Sequence, residues 1–300
     1  AGKMNKDLDE RLVPNGEYRD ALNVQVKTSD GSDGGTVQNV LGNSRTFNFG
    51  GNYSGASKIV AAVPDEQANC IYFFVSAPPI VTDPSAISSE VVYKDLIVRQ
   101  NSSGSVDPIV TDVYAIANTA AGVKTGGFSE NGTFVSIAVN DASKYRRGME
   151  VRMFDSSSTS LLESNTKIQS VDVSSNTIKL NKWQSANLTT CTKVLFIAPQ
   201  VLEFRTDTLI TGVNVLEDFI FWTDNKHEPK KINIKRCEEG TIDFSTHTTL
   251  QLENNSNGDL SPFSEFYSNV GSNHDALIRD HITVIRKAPL NCPKIGIYFT

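Results

Sequence analysis

Residues Val213–Gly240 read VNVLEDFIFWTDNKHEPKKINIKRCEEG, and their pattern decides the fold class. In an extended chain Phe219 and Phe221 project to one face, Ile220 and Trp222 to the other. A strand apolar on both faces is expected to lie between two packed layers. Thr223 to Pro229 is polar, charged and closed by proline, which suits a connection that stops the pairing. Asp224 is expected to cap backbone amides of that turn. The alternation Lys231-Ile232-Asn233-Ile234-Lys235 predicts a half-exposed outer strand. Buried strand, polar turn and amphipathic return strand make the outer part of a propeller blade, with Phe221, Trp222, Thr223, Asp224 and Pro229 as its structural markers.

The same logic recurs upstream. Lys58–Val63, Cys70–Ser76 (CIYFFVS) and Val91–Arg99 form a strand series whose middle member is apolar on both faces. Ala77–Ser89 is a Pro- and Ser-rich loop, and Ile109–Ala117 begins another strand. Gly122–Gly127 (GVKTGG) has the composition of a linker. Beyond it, strands are predicted at Thr133–Val139, Met149–Phe154, Lys167–Val173, Thr177–Leu180 and Lys193–Ile197. Polar turns separate them, as in a small sandwich or barrel. The blade pattern resumes after Pro199, and a last strand is expected within Asp280–Leu290. The expected architecture is all-β, with propeller-like blades in two segments, 1–122 and 201–300, and an inserted small β-domain at 123–200. Near the start, Lys3–Leu12 suits a short helical turn, and Ala21–Val26 and Thr36–Gly42 suit strands. The opening Ala1 and the closing IGIYFT suggest an excerpt of something longer.

Composition bounds the function. The net charge of −6 over 300 residues argues against a gripping contact with nucleic acid, but suits a surface past which DNA slides. No apolar run approaches the roughly 18 residues of a spanning helix. Cys70, Cys191, Cys237 and Cys292 lack CxxC spacing and are expected to be buried free thiols, with disulfides or metal ligation as alternatives. SDGSDGG (Ser29–Gly35) alternates carboxylates with glycine like a calcium loop, yet lacks the closing glutamate; a flexible connection is the simpler expectation. His227, His247, His274 and His281 are scattered and expected in turns or on the surface, with convergence of the last three in space as the alternative. No nucleophile elbow, zinc-protease or phosphate-loop motif is present. Asp7/Asp9/Glu10 and Glu238/Glu239 suit solvated faces better than a glycosidase pair. Arg146-Arg147 and Lys230-Lys231 are basic doublets too small for a nucleic-acid footprint. Neither catalytic residues nor a cofactor or metal is expected.

The segments MNKDLDERLVPNGEYRDALNVQV (Met4–Val26), GTVQNVLGN (Gly35–Asn43), LITGVNVLEDFIFWTDNKHEPKKINIKRC (Leu209–Cys237) and DHITVIRKAPL (Asp280–Leu290) resemble large virion structural proteins of tailed phages, especially marine ones. The WTD…EP…I core is similar to the β-propeller tail nozzle proteins of short-tailed phages, and the turn-linked strands of the Gly127–Pro199 insertion (RRGMEVRMF, IQSVDVSSNTIKL) are similar to small decoration modules of tail proteins. The resemblance implies a structural virion protein of the phage tail. Such a protein forms a ring, six copies being the expected number, around the channel used in DNA ejection. Its partners would be itself, a tail adaptor and fibre proteins, with genomic DNA passing without specific binding and no membrane. Asp7, Asp9, Glu10, Glu238 and Glu239 are candidates for an acidic channel lining. The alternatives are a receptor-binding or fibre-attachment tail protein and, further off, a propeller enzyme acting on glycans.

Overall fold

The computed structural model describes residues 3–20, 24–28, 35–39, 57–77, 80, 83–119, 123–131, 134–182, 190–251 and 274–285. Two compact units divide between Asn48 and Phe49. In the first, β1 (Lys3–Met4) runs parallel to β2 (Glu17–Tyr18), and β3 (Val24–Thr28) pairs antiparallel with β4 (Gly35–Asn39). The charged N-terminal stretch contains a single 3-10 turn, Glu10–Leu12, whose Arg11 amide donates to the Asp9 carboxylate at 3.1 Å. The SDGSDGG connection falls largely outside the described residues.

The second unit holds β5 (Lys58–Asp65), β6 (Cys70–Ser76), β7 (Val91–Asn101), β8 (Val106–Thr119), β9 (Val123–Asn131), β10 (Phe134–Val139), β11 (Glu150–Phe154), β12 (Ile168–Asp172), β13 (Thr177–Leu180), β14 (Lys193–Ile197), β15 (Gly212–Leu216), β16 (Phe219–Thr223), β17 (Lys230–Asn233), β18 (Thr249–Gln251) and β19 (His274–Ala276). With two short helices, α1 (Ile234–Glu239) and α2 (Arg279–Ile282), it is an all-β structure. Its backbone is a six-stranded sheet in the order β11-β14-β8-β7-β6-β5. A four-stranded sheet (β12-β13-β10-β9), a three-stranded sheet (β15-β16-β17) and the β18-β19 pair complete it. Among the described residues no sheet closes into a barrel and no ring of blades forms.

Local chemistry sets the turns. Asp65 accepts the amides of Gln67 and Ala68, both at 3.0 Å, and Asn69 takes φ 49°, a conformation asparagine tolerates. Between β7 and β8, Gly104 takes φ 85° and its amide donates to the Asn101 carbonyl at 2.9 Å. This short turn lets β7 and β8 run together as a long hairpin. One end of the hairpin, with Ile97, Ile109 and Val110, joins a core containing Phe74, Ile220, Trp222 and Ile232. The other end, with Val92, Val113 and Ile116, joins a second core containing Ile137, Met149, Ile178 and Phe196.

That sharing corrects the expected insertion at 123–200. Its strand β14 pairs with β8 from Lys193↔Thr119 to Ile197↔Ala115, and β11 pairs with β14. The segment therefore extends the sheet of the first segment and uses its side chains as part of the core. The supposed linker GVKTGG runs into β9, which pairs with β10. Ser136 faces Ser129 and Ala138 faces Lys124, so Gly126 and Gly127 fall within a bulge, where glycine inside a strand has its use.

Two other expectations change. The alternating Lys231–Lys235 run stays a strand only to Asn233, whose side chain caps α1 by accepting the Arg236 amide at 3.0 Å. Ile234 and Cys237, three apart, face the core from this helix. Gly240 caps its end, and no other residue fits there because an added Cβ would lie 1.6 Å from the Thr249 carbonyl oxygen. Within Asp280–Leu290, residues up to Ile282 are helical. Thr283 then bridges antiparallel to Lys230, and the Val284 amide donates to the Pro229 carbonyl at 2.9 Å. Residues beyond Ile285 lie outside the described set.

Candidate functional site

The stretch that decided the fold class forms a meander. Ile220 lies between Val215 and Ile232, and Trp222 between Val213 and Lys230. Ile220 and Trp222 are buried, while Phe219, Phe221 and Thr223 are half-buried, so the strand has one covered face and not two. The Trp222 ring meets Phe74 edge-on at 5.7 Å and Phe204 at 6.2 Å, with Phe74 and Phe204 5.5 Å apart. This aromatic triangle ties the large sheet to the small one. Asp224 accepts the Lys226 amide at 2.9 Å and the His227 amide at 2.8 Å, and meets His227 Nδ1 at 2.5 Å. Partial burial works to raise its pKa. The His227 and Lys226 contacts outweigh that and hold it down at about 2. Asp224 is a turn-forming group, and Pro229 is exposed at the entrance to β17.

Beside the triangle, residues 200–204 connect β14 to the meander without joining any sheet, yet Val201, Leu202 and Phe204 are buried. Buried backbone groups outside a ladder need other partners. Charged side chains provide them. Asp112 Oδ2 accepts the Val201 and Leu202 amides at 2.6 and 2.9 Å. Asp95 Oδ2 accepts the Phe204 amide at 3.0 Å and the Gln200 side-chain amide at 2.8 Å, and Asp95 Oδ1 accepts the Ala77 amide at 3.1 Å. From the other layer, Lys230 Nζ donates to the Val201 and Leu202 carbonyls at 3.2 and 2.8 Å and to the Glu203 carboxylate at 2.7 Å. Glu203 also pairs with Arg279 at 3.2 Å, and Arg279 with Glu228 at 2.5 Å. One irregular connection is thus held by carboxylates from one sheet and an ammonium from the other.

Asp95 and Asp112 are directly opposite on β7 and β8, and both are fully buried. Burial and the Asp112 charge push the Asp95 pKa well above the carboxylate range. Burial also raises Asp112, against the Leu202 amide, the Arg146 charge and the Val201 amide, to about 6. Asp112 Oδ1 has no hydrogen-bond partner among the described residues and lies 3.6 Å from His247 Nδ1. That nitrogen accepts the Val113 amide at 3.1 Å, so Nε2 carries the hydrogen donated to the Leu277 carbonyl at 2.9 Å. Burial, then the Arg146 charge, hold the His247 pKa far below its ordinary value.

One sequence expectation is thereby corrected. His247 is an interior residue, 6% exposed, and not a surface one. Of the basic doublets, Arg146 and Lys230 point inward and only their neighbours could belong to a surface. Glu238, a candidate for a channel lining, is held by a two-pronged contact with Arg99 at 2.6 and 3.1 Å. Asp7, Asp9 and Glu239 are exposed. Cys70, Cys191 and Cys237 are free and buried as expected, while Cys292 lies outside the described residues. The convergence of His247, His274 and His281 is open only in part, because the His274 side chain is outside the described set.

The carboxylates that the fold brings face to face are sealed from solvent and committed to backbone amides, so their chemistry is that of staples. The polar signal was present in VVYKDLIVR and IVTDVYAIA, where Asp95 and Asp112 interrupt apolar strands. No family model matches the chain, and neither the curated proteins nor the solved structures contain a match.

Proposed function

We propose that this chain is a structural component of a phage tail, of the nozzle or tail-tube type, working through its contacts in a ring around the DNA exit channel. The observation that carries it is the β15–β16–β17 meander. Its WTD turn is closed by Asp224, its inner face is packed on a second sheet, and Thr283 lies along the outer edge of β17 in the place of a fourth strand. These features support a blade-like reading of the meander, which falls within the segment that resembles nozzle proteins. The layers are stapled by buried carboxylates and an ammonium, which suits a wall under mechanical load. The two facing carboxylates are inaccessible, which disfavours the glycan-enzyme alternative. The overall negative charge suits a wall that lets DNA pass without holding it.

The test is reconstruction of the native particle with the chain traced in it. A closed ring, six copies being expected, at the DNA exit with an acidic or neutral lining supports the proposal. A single copy at a fibre tip, or a channel lined mainly by lysine and arginine, overturns it in favour of the receptor-binding alternative.

A further inference from the structure

The two-layer sandwich is apolar outside as well as inside. On β5 and β6 the residues facing away from the core are paired across the strands as Ile59 with Val75, Ala62 with Phe73 and Pro64 with Ile71. Phe73 and Val75 pack in a separate cluster with Leu96, Val98 and Phe244, while Ile59 is 52% and Ile71 40% exposed, and Ala62 and Pro64 are also exposed. On the opposite side of the sandwich, the outer face of the meander pairs Leu216 with Phe219 and Asn214 with Phe221. Leu216 is 59% exposed and both phenylalanines are half-buried, their rings 6.2 Å apart. A sandwich with apolar side chains on both outer sides has the surface of a middle layer in a stack.

We infer that these two faces dock on each other in neighbouring copies of this chain, the β5–β6 face of one against the meander face of the next. Charge selects this arrangement. Lys231 stands beside Phe221 on the meander face, 5.7 Å from the Phe219 ring centre, and has no ion-pair partner among the described residues. Glu66 is exposed in the β5–β6 turn, next to Pro64 and Ile71, and likewise has no ion-pair partner among them. The β5–β6 face presents Glu66 beside Pro64, and the meander face, which carries Glu217 beside Leu216, supplies in Lys231 the cation that complements it. The unlike pairing sets Glu66 against Lys231 and buries aliphatic side chains on aromatic ones. Contact between different faces propagates head to tail, closing as a ring or running on as a filament. This pairing rests on the ring proposed above and names its contact.

The experiment uses the full chain and two exposed substitutions, Ile71→Asp on one face and Leu216→Asp on the other, with circular dichroism to confirm that each variant is folded. In sedimentation velocity the parent chain is expected to associate beyond a dimer, and each variant alone to be a monomer. An equimolar mixture of the two is expected to form a dimer and nothing larger, since each retains one working face. Lys231→Glu should weaken association by about ten-fold, and adding Glu66→Lys should restore it. A monomeric parent chain, a variant that still dimerises alone, or an inert mixture overturns the inference. A particle in which the chain lines the exit ring through other surfaces would overturn this contact and leave the tail assignment standing.

Discussion

Replacing Lys230 by Met tests whether the stapled connection holds the layers together. Methionine fills nearly the same space, so the loss is that of the ammonium and its contacts. Lys230 is 2% exposed and donates to the Val201 and Leu202 carbonyls and to Glu203. Without it the two carbonyls lose this donor and Glu203 keeps only Arg279 from the other layer. Hydrogen bonds to a charged group are worth roughly 1.5–3 kcal/mol each and are not additive here, because one group makes all three. Breaking a buried ion pair from one side costs about 3–5 kcal/mol, and that is the expected loss. Urea unfolding followed by fluorescence and circular dichroism measures it. A cycle with Glu203→Gln should show coupling of about 1–3 kcal/mol. A loss below about 1 kcal/mol, or two strictly additive substitutions, would refute the idea that charge across the layers secures residues 200–204.

Trp222→Ala should cost about 3–5 kcal/mol, since the indole is buried against Phe74 and Phe204; a loss near zero would mean that the triangle carries no weight. Gly240→Ala should cost roughly 3 kcal/mol or more, because the new methyl collides with backbone at Thr249 that cannot swing aside, and thermal unfolding reads it directly. Asp112→Asn should change how stability depends on pH. The folded pKa of about 6 is raised, so the stability that Asp112 contributes is complete below the ordinary value near 4 and is lost as pH rises through 6. The variant lacks this loss and should gain on the parent by up to about 3 kcal/mol between pH 4 and 7. His247, whose pKa is depressed, works the other way by losing stability as pH falls below about 6.5, but does so in both proteins. Unfolding curves at several pH values that stay parallel would contradict the assignment.

The strands were legible because they depend on neighbours in sequence. CIYFFVS and FIFWT are apolar, β-branched or aromatic runs bounded by Asp- and Asn-bearing turns, and β6 and β16 occupy those places. Asp224 was legible as a turn former for the same local reason. The α1 helix was not. Ile232 and Ile234 alternate like a strand, whereas the helical pair Ile234 and Cys237 emerges only once Asn233 caps and Gly240 fits against Thr249. The 123–200 segment reads as an insertion because glycines in a bulge and glycines in a linker look alike in sequence.

By itself the sequence determined an all-β chain, the places of most strands, the turns between them and the burial of Cys70, Cys191 and Cys237. Side-chain period and turn chemistry act over a few residues, so a single chain carries them openly. Only the tertiary structure decided that β14 continues the sheet of β8, that Asp95 faces Asp112, and that Lys230 reaches across from the other layer to Val201 and Leu202. A polar residue in a strand signals a wet face until the packing removes the water. Whether its charge is then exposed, stranded or committed to a backbone depends on which distant segment lands beside it, and here that segment is the ladderless connection at 200–204.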